Sequence, residues 1–250
     1  MRWLQLPGVS AALLVLILLL LWQAVFAIAG PLAIASPGAT FGYLAQQLQG
    51  GDLWMHVWAT GQAFLLALVI AVIGGLLLGL VTGLGATAAE TAEPLLMAVN
   101  AIPKIALYPV VLLLFGIGLP AKVAFGAIHG IIPVAIFTLN ATRGVPPVLL
   151  KTAAILRLGP ADRIRSILLP SALPDVVAGV RMGFSLTLIG VVLGEMFGSQ
   201  SGLGYLLMTS IGLQNTEAIM AVTVLLIAFA AAVSTALLTW ERRLRRNRGG

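Results

Sequence analysis

Three ionisable side chains, Lys104, Arg181 and Glu195, stand inside stretches of otherwise apolar sequence. A charge at bilayer depth costs on the order of 3 kcal/mol on insertion scales, so such residues line solute paths, pair with one another or snorkel to the headgroups. Lys104 follows Pro103 and shares a helical face with Tyr108, Val111 and Phe115, an ammonium beside an aromatic that suits an anion. Arg181 leads a second face through Ser185, Leu188 and Val192 to Glu195, roughly 20 Å away at a rise of ~1.5 Å per residue. Two unpaired cations in membrane segments whose one acid, Glu195, is that far from Arg181 predict a path biased toward anions, unless both heads reach the headgroups. Asn100, His129 and Asn140 are weaker candidates, and a lone His beside Gly130 reads as hydrogen-bonded core. With no cysteine in the chain, disulfides, thiolate metal sites and cysteine nucleophiles are excluded. None of the three lysines follows a glycine, so there is no G-x-x-x-x-G-K-[ST] phosphate loop. The chain is read as a non-enzyme with no catalytic residues, metal or cofactor of its own.

The elements that must hold these residues are membrane spans. Hydrophobic residues make up 60% of the 250, charged ones 9%, and mean hydropathy is +1.08; a soluble domain carries about a quarter charged residues. Apolar runs near 9–29, 58–84, 95–116, 122–142, 174–197 and 217–240 predict an all-α, six-span membrane protein forming one domain over 1–250. The first run ends in Ala27-Ile28-Ala29, which imitates a cleavage site. It is about twice as long as the 7 to 15 residues of a signal-peptide core, so it reads as an uncleaved helix. With six spans both termini share a side. That side collects Arg2, Arg143, Lys151, Arg157, Arg163, Arg165 and Arg242, Arg243, Arg245, Arg246 and Arg248, eleven of the fourteen basic residues, which predicts cytoplasmic termini. The C-terminal cluster faces anionic lipid rather than nucleic acid. Lys104, Lys122 and Arg181 are the three basic residues this leaves in or beside spans. Gly75, Gly79 and Gly83 recur every fourth residue, leaving one helix face bare for close packing.

Between spans four and five runs a long basic loop, 143–173, read as two short helices. Pro147 suits a first turn, Gly159 the left-handed position after a helix end and Pro160 a stop, so the first covers Val148–Leu158. Asp162 caps the second, in which Ile164, Ile167 and Leu168 form an apolar stripe ended by Pro170. From physics alone, such a hairpin lies on lipid or docks into a protein.

This loop, followed by ILLPSALPDVVAGVR and, after the fifth span, GEMFGSQSGLGYLLM, resembles the permease subunit of binding-protein-dependent ABC importers, nearest the nitrate, sulfonate and taurine branch. The likeness extends through SPGATFGYLAQQLQGGDLWMH, AEPLLMAVNAIPKIALYPVVLLLFGIG and FGAIHGIIPVAIFTLNATRGV, with Leu169-Pro170 and Gly202-Leu203-Gly204-Tyr205 its most family-like pieces. The resemblance implies a bacterial inner-membrane protein that works as two permease copies with two cytoplasmic ATPase subunits, which bind ATP and Mg, and an extracytoplasmic solute-binding protein. It makes the loop a coupling helix that enters a groove on the ATPase, written in the family as Glu-Ala-Ala, then Gly, then Leu-Pro at fixed spacing. Without gaps, Lys151, Thr152 and Ala153 fall on Glu-Ala-Ala and Arg157 on the Gly. A two-residue shift instead uses Gly159, with Ala153, Ala154 and Ile155 on the triplet, and the acid is missing in both. Lys151, Ala153, Ala154, Leu156, Arg157, Gly159, Asp162, Ile164, Leu169 and Pro170 are the coupling candidates. The solute expected is a small anion such as nitrate, a sulfonate or taurine. Rival readings are an ion-driven secondary transporter, which needs several mid-membrane acids, and a scaffold that transports nothing. A serine protease around Gly183-Phe184-Ser185 fails because His56 and His129 both precede the serine, whereas that fold supplies its base from a later span.

Overall fold

The computed structural model describes residues 7–246, with side chains at 7–11, 147, 150, 154, 160, 161, 164, 168 and 245 outside the description. The regular elements are helices: α1 (Pro7–Ala29), α2 (Pro37–Gln49), α3 (Asp52–Gly83), α4 (Ala86–Ala101), α5 (Tyr108–Phe115), α6 (Leu119–Arg143), α7 (Pro147–Ile155), α8 (Pro160–Arg163), α9 (Leu169–Gly198), α10 (Leu203–Gly212) and α11 (Thr216–Arg246). Among them α1, α3, α6, α9 and α11 are long and apolar enough to cross a membrane. A sixth crossing is possible only through α4 and α5 together, which are bent by 81°.

That bend corrects the expectation of one continuous third span over 95–116. Pro103 forces the residue before it out of helical geometry: Ile102 is extended (φ −64°, ψ 133°), and a 3-10 turn over Lys104–Leu107 leads into α5.

The core is a three-helix stack of α3, α6 and α9, and small residues make it possible. α3 runs parallel to α6. A Cβ at Gly75 would come within 2.5 Å of the Val134 Cβ, one at Gly79 would lie 2.6 Å from the Thr138 Cβ, and one at Gly83 would collide with the Thr142 hydroxyl. α9 runs antiparallel to α6, and a Cβ at Gly190 would sit 2.9 Å from the Gly126 Cα. Where the hydrophobic effect offers nothing between helices, this close backbone approach is what dispersion acts on. His129 belongs to this stack: it is buried, and its Nδ1 lies 2.8 Å from the Phe125 carbonyl oxygen. Phe64, Phe184 and Phe229 join α3, α9 and α11 edge to face or tilted, at centroid separations of 5.2 to 6.0 Å. α1 stands at the periphery with its apolar side chains exposed, meeting α2 through Trp22 and Phe41.

The bundle has two unlike ends. At the hairpin end α6 finishes and α9 begins; at the strap end α3 and α6 begin, α9 finishes and α10 folds in. Trp22 donates its indole N–H to Ala35 O and Trp54 to Leu48 O near the strap end, as expected for amphipathic rings at a membrane boundary.

Candidate functional site

At the hairpin end α7 stops at Ile155, three residues before the expected Leu158. The chain reverses through Arg157, which takes the left-handed conformation (φ 50°); that position was expected at Gly159. α8 then opens at Pro160, which was expected only to stop the first helix, so that Asp162, the expected cap, lies inside the helix; nor does Pro170 end it. The helix passes through a π-helical segment, Ile164–Leu168, directly into α9 and on through Pro174. A π turn widens the backbone just where the ring of Pro170 would strike the carbonyl four residues back, so the proline does not cut the helical path. Ala153 is the buried anchor of the hairpin, whereas Lys151, Ile155, Leu156, Arg157, Gly159, Asp162, Leu169 and Pro170 are exposed. The side chains of Ala154 and Ile164 lie outside the described residues. Ile155 is 80% exposed and Leu156 63%, and the hairpin projects both from its tip.

The in-span cations each have a partner. Arg181 donates from Nε to Glu241 Oε2 at 3.2 Å, joining α9 to a part of α11 that continues beyond the expected end at 240. This corrects the reading of Arg181 as uncompensated charge. The face that follows it is packed: Ser185 donates to the Arg181 carbonyl at 3.3 Å, and Leu188 sits in the cluster of Ala63, Phe64, Ala67, Phe184 and Val191. Lys104 donates to Asn100 O at 3.0 Å, satisfying a carbonyl that the break after α4 leaves free. Tyr108 is buried too. Its hydroxyl donates to Gly194 O at 2.6 Å and its ring meets Phe125 at 4.9 Å.

The strap end holds the most interlocked polar group of the described residues. Glu195 is fully buried. Its Oε1 lies 3.4 Å from Lys122 Nζ, while Oε2 accepts from Thr60 Oγ1 at 2.8 Å and from the Gly204 N–H at 3.0 Å. Lys122 also donates to Ser201 O at 2.6 Å. Thr60 Oγ1 accepts from the Leu203 N–H at 2.7 Å, and His56 Nδ1 from the Gly202 N–H at 3.1 Å. One carboxylate thus straps Ser201–Gly204 against α3, α6 and α9. The same contacts explain the Gly-Leu-Gly motif physically. Gly202 sits at φ 118° with the Glu195 carboxylate where a Cβ would go, and a Cβ at Gly204 would lie 2.8 Å from the Glu195 Cβ. Sequence reasoning left Lys122 unexplained, did not single out Thr60, and named His56 only to reject it as a catalytic base. The available signal was depth: Lys122 lies four residues after Gly118 and Glu195 three before Gly198, so opposite charges enter two spans at the same level.

The family model for the inner membrane component of binding-protein-dependent transport systems matches residues 71–248. The riboflavin transport system permease protein RibX of Chloroflexus aurantiacus is 34% identical, over 94% of this chain and 91% of its own length. The taurine transport system permease protein TauC of Escherichia coli is 27% identical, over 80% of this chain and 72% of its own. An inward-facing structure of the MetNI methionine ABC transporter superposes with a TM-score of 0.65 at 21% identity, covering 77% of this chain and 97% of that one, a shared fold. Long apolar helices and the family match converge: the chain belongs to the binding-protein-dependent transport inner-membrane family, as a multi-pass permease subunit of an ABC importer.

Proposed function

We propose that the chain forms the solute path of an ABC importer and drives it through the 148–169 hairpin of the 143–173 loop, which docks in a groove of a cytoplasmic ATPase dimer. The observation that carries this reading is the unbroken helical path from α8 through the π turn into α9. A push on the exposed hairpin travels along α9, past α6, to Glu195 at the far end. Two copies of the chain enclose the path, an extracytoplasmic binding protein delivers the solute, and the termini lie in the cytoplasm on the strength of the basic residues there. Membrane lipid surrounds α1 and the C-terminal arginines.

The solute is a small anion such as nitrate, a sulfonate or taurine. With Arg181 held by Glu241, this specificity rests at mid-membrane on Lys104, whose Nζ bonds uncharged groups alone among the described residues. The test is transport in vesicles reconstituted with the ATPase and binding protein. Leu156→Asp is expected to abolish coupled transport, and Lys104→Met to lower the anion rate several-fold. Normal ATPase association and coupling in Leu156→Asp would refute the docking assignment; a wild-type rate in Lys104→Met would refute the anion path and leave the importer assignment intact.

A further inference from the structure

A cavity of about 350 Å³ opens at the strap end between α3, the start of α6 and the 199–201 segment, within the ~300–1,000 Å³ usual for small-ligand sites. Its walls carry Lys122, Gln62, Ser199, Gln200 and Ser201, with no carboxylate among the lining residues. Lys122 is the charged member. Its ammonium spends two of three protons on Ser201 O and Glu195 Oε1, leaving one donor. Glu195 fixes the ammonium in place without lining the cavity. The amides of Gln62 and Gln200 make no hydrogen bond among the described residues, so their N–H groups remain available. Gly118 and Leu119 bring the N-terminal end of the 25-residue α6, the positive end of its dipole, to the same wall.

The neighbouring cavity, about 480 Å³, has the opposite character. Asp52 is its charged lining residue, beside His56, Tyr43 and Tyr205, and no Lys or Arg lines it; Gln200 stands between the two cavities and lines both. Of the two, the Lys122 cavity is therefore the one whose chemistry recognises an anion.

We propose that the Lys122 cavity is a subsite for a small oxyanion, nitrate or the head of a sulfonate, held by the free proton of Lys122 and the amides of Gln62 and Gln200. This deepens the anion reading above and rests on it for the cavity's place at the entrance of the path, but the binding itself needs neither ATPase nor binding protein.

The full chain is purified in a neutral detergent and titrated calorimetrically with methanesulfonate and with nitrate at constant ionic strength. Saturable binding is expected. Gln62→Glu and Gln200→Glu, which add a carboxylate to the wall and leave the strap contacts alone, should each weaken it by about tenfold or more through like-charge repulsion. Tyr43→Glu in the neighbouring cavity should leave it unchanged. The titration is repeated in nanodiscs containing phosphatidylglycerol: unchanged affinity supports a free solute, and loss of binding identifies a lipid phosphate as the occupant and overturns the proposal. No saturable binding, or wild-type affinity in both glutamine variants, also overturns it. Anion transport by the assembled complex is measured separately, so a transporting complex with neutral glutamine variants would reject the subsite alone.

Discussion

The two ends of this bundle are built on opposite principles. At the strap end a carboxylate with no exposure ties together α3, α6, α9 and the Ser201–Gly204 backbone through contacts of 2.7 to 3.4 Å. At the hairpin end the segment between α6 and α9 rests on buried Val145 and Ala153, while Ile155, Leu156 and, at the start of α9, Leu169 face outward. An interlocked polar group fixes a geometry because each member would be costly to leave unpaired. Exposed apolar side chains on a polar hairpin instead await a partner surface. The difference teaches a division of labour along α9: one end is held by the chain itself, the other is completed by another protein.

The comparison breaks most severely at Glu195. Glu195→Ala leaves the Lys122 ammonium buried without its anion, and is expected to cost about 3–5 kcal/mol in thermal unfolding of the detergent-purified chain. Lys122→Met combined with Glu195→Leu should recover a large part of that loss, because the pair's worth lies mainly in mutual compensation. If Glu195→Ala melts like the wild type, the strap is not structural. Gly202→Ala should follow at about 1–3 kcal/mol, since φ 118° and the adjacent carboxylate both resist a Cβ.

The opposite result is expected at the hairpin. Leu156→Asp should leave the melting temperature within about 1 °C of wild type, as a surface change does, while weakening ATPase association by at least ~30-fold, the size of an interface hot spot. A lower melting temperature with intact association would reverse the roles given to the two ends. The mildest effect belongs to Arg143→Ala. Its pair with Glu93, at 3.1 Å, is 39% and 29% exposed, so unfolding should change by no more than about 0.5 kcal/mol. A loss several times larger would mean that the hairpin end is anchored more firmly than described.

Much of this was legible in the sequence, for local reasons. Apolar runs announced the long helices, the Gly75, Gly79 and Gly83 spacing announced a face for close helix packing without saying that α6 would fill it, and the proline and charge pattern located the hairpin. What escaped depends on partners distant in sequence or on local compensation. Lys122 and Glu195 are 73 residues apart, and only the antiparallel run of α6 and α9 places them at one level. Arg181 finds Glu241 60 residues away, in a helix whose apolar signal fades before the acid is reached. Pro103 and Pro170 look alike as helix breakers, yet one bends the chain by 81° and the other is absorbed by a π turn; periodicity alone does not separate these outcomes.

The central claim, that the 148–169 hairpin is the surface on which the ATPase acts, has one direct measurement. The chain has no cysteine, so Leu156→Cys and, at the strap end, Gln47→Cys each introduce a single reactive position. Both are treated with a short thiol-to-amine cross-linker in native membranes, and the products are identified by mass spectrometry. The account predicts a cross-link from position 156 to an ATP-binding subunit and none from position 47. A cross-link to the ATPase from position 47 but not from 156 would contradict it.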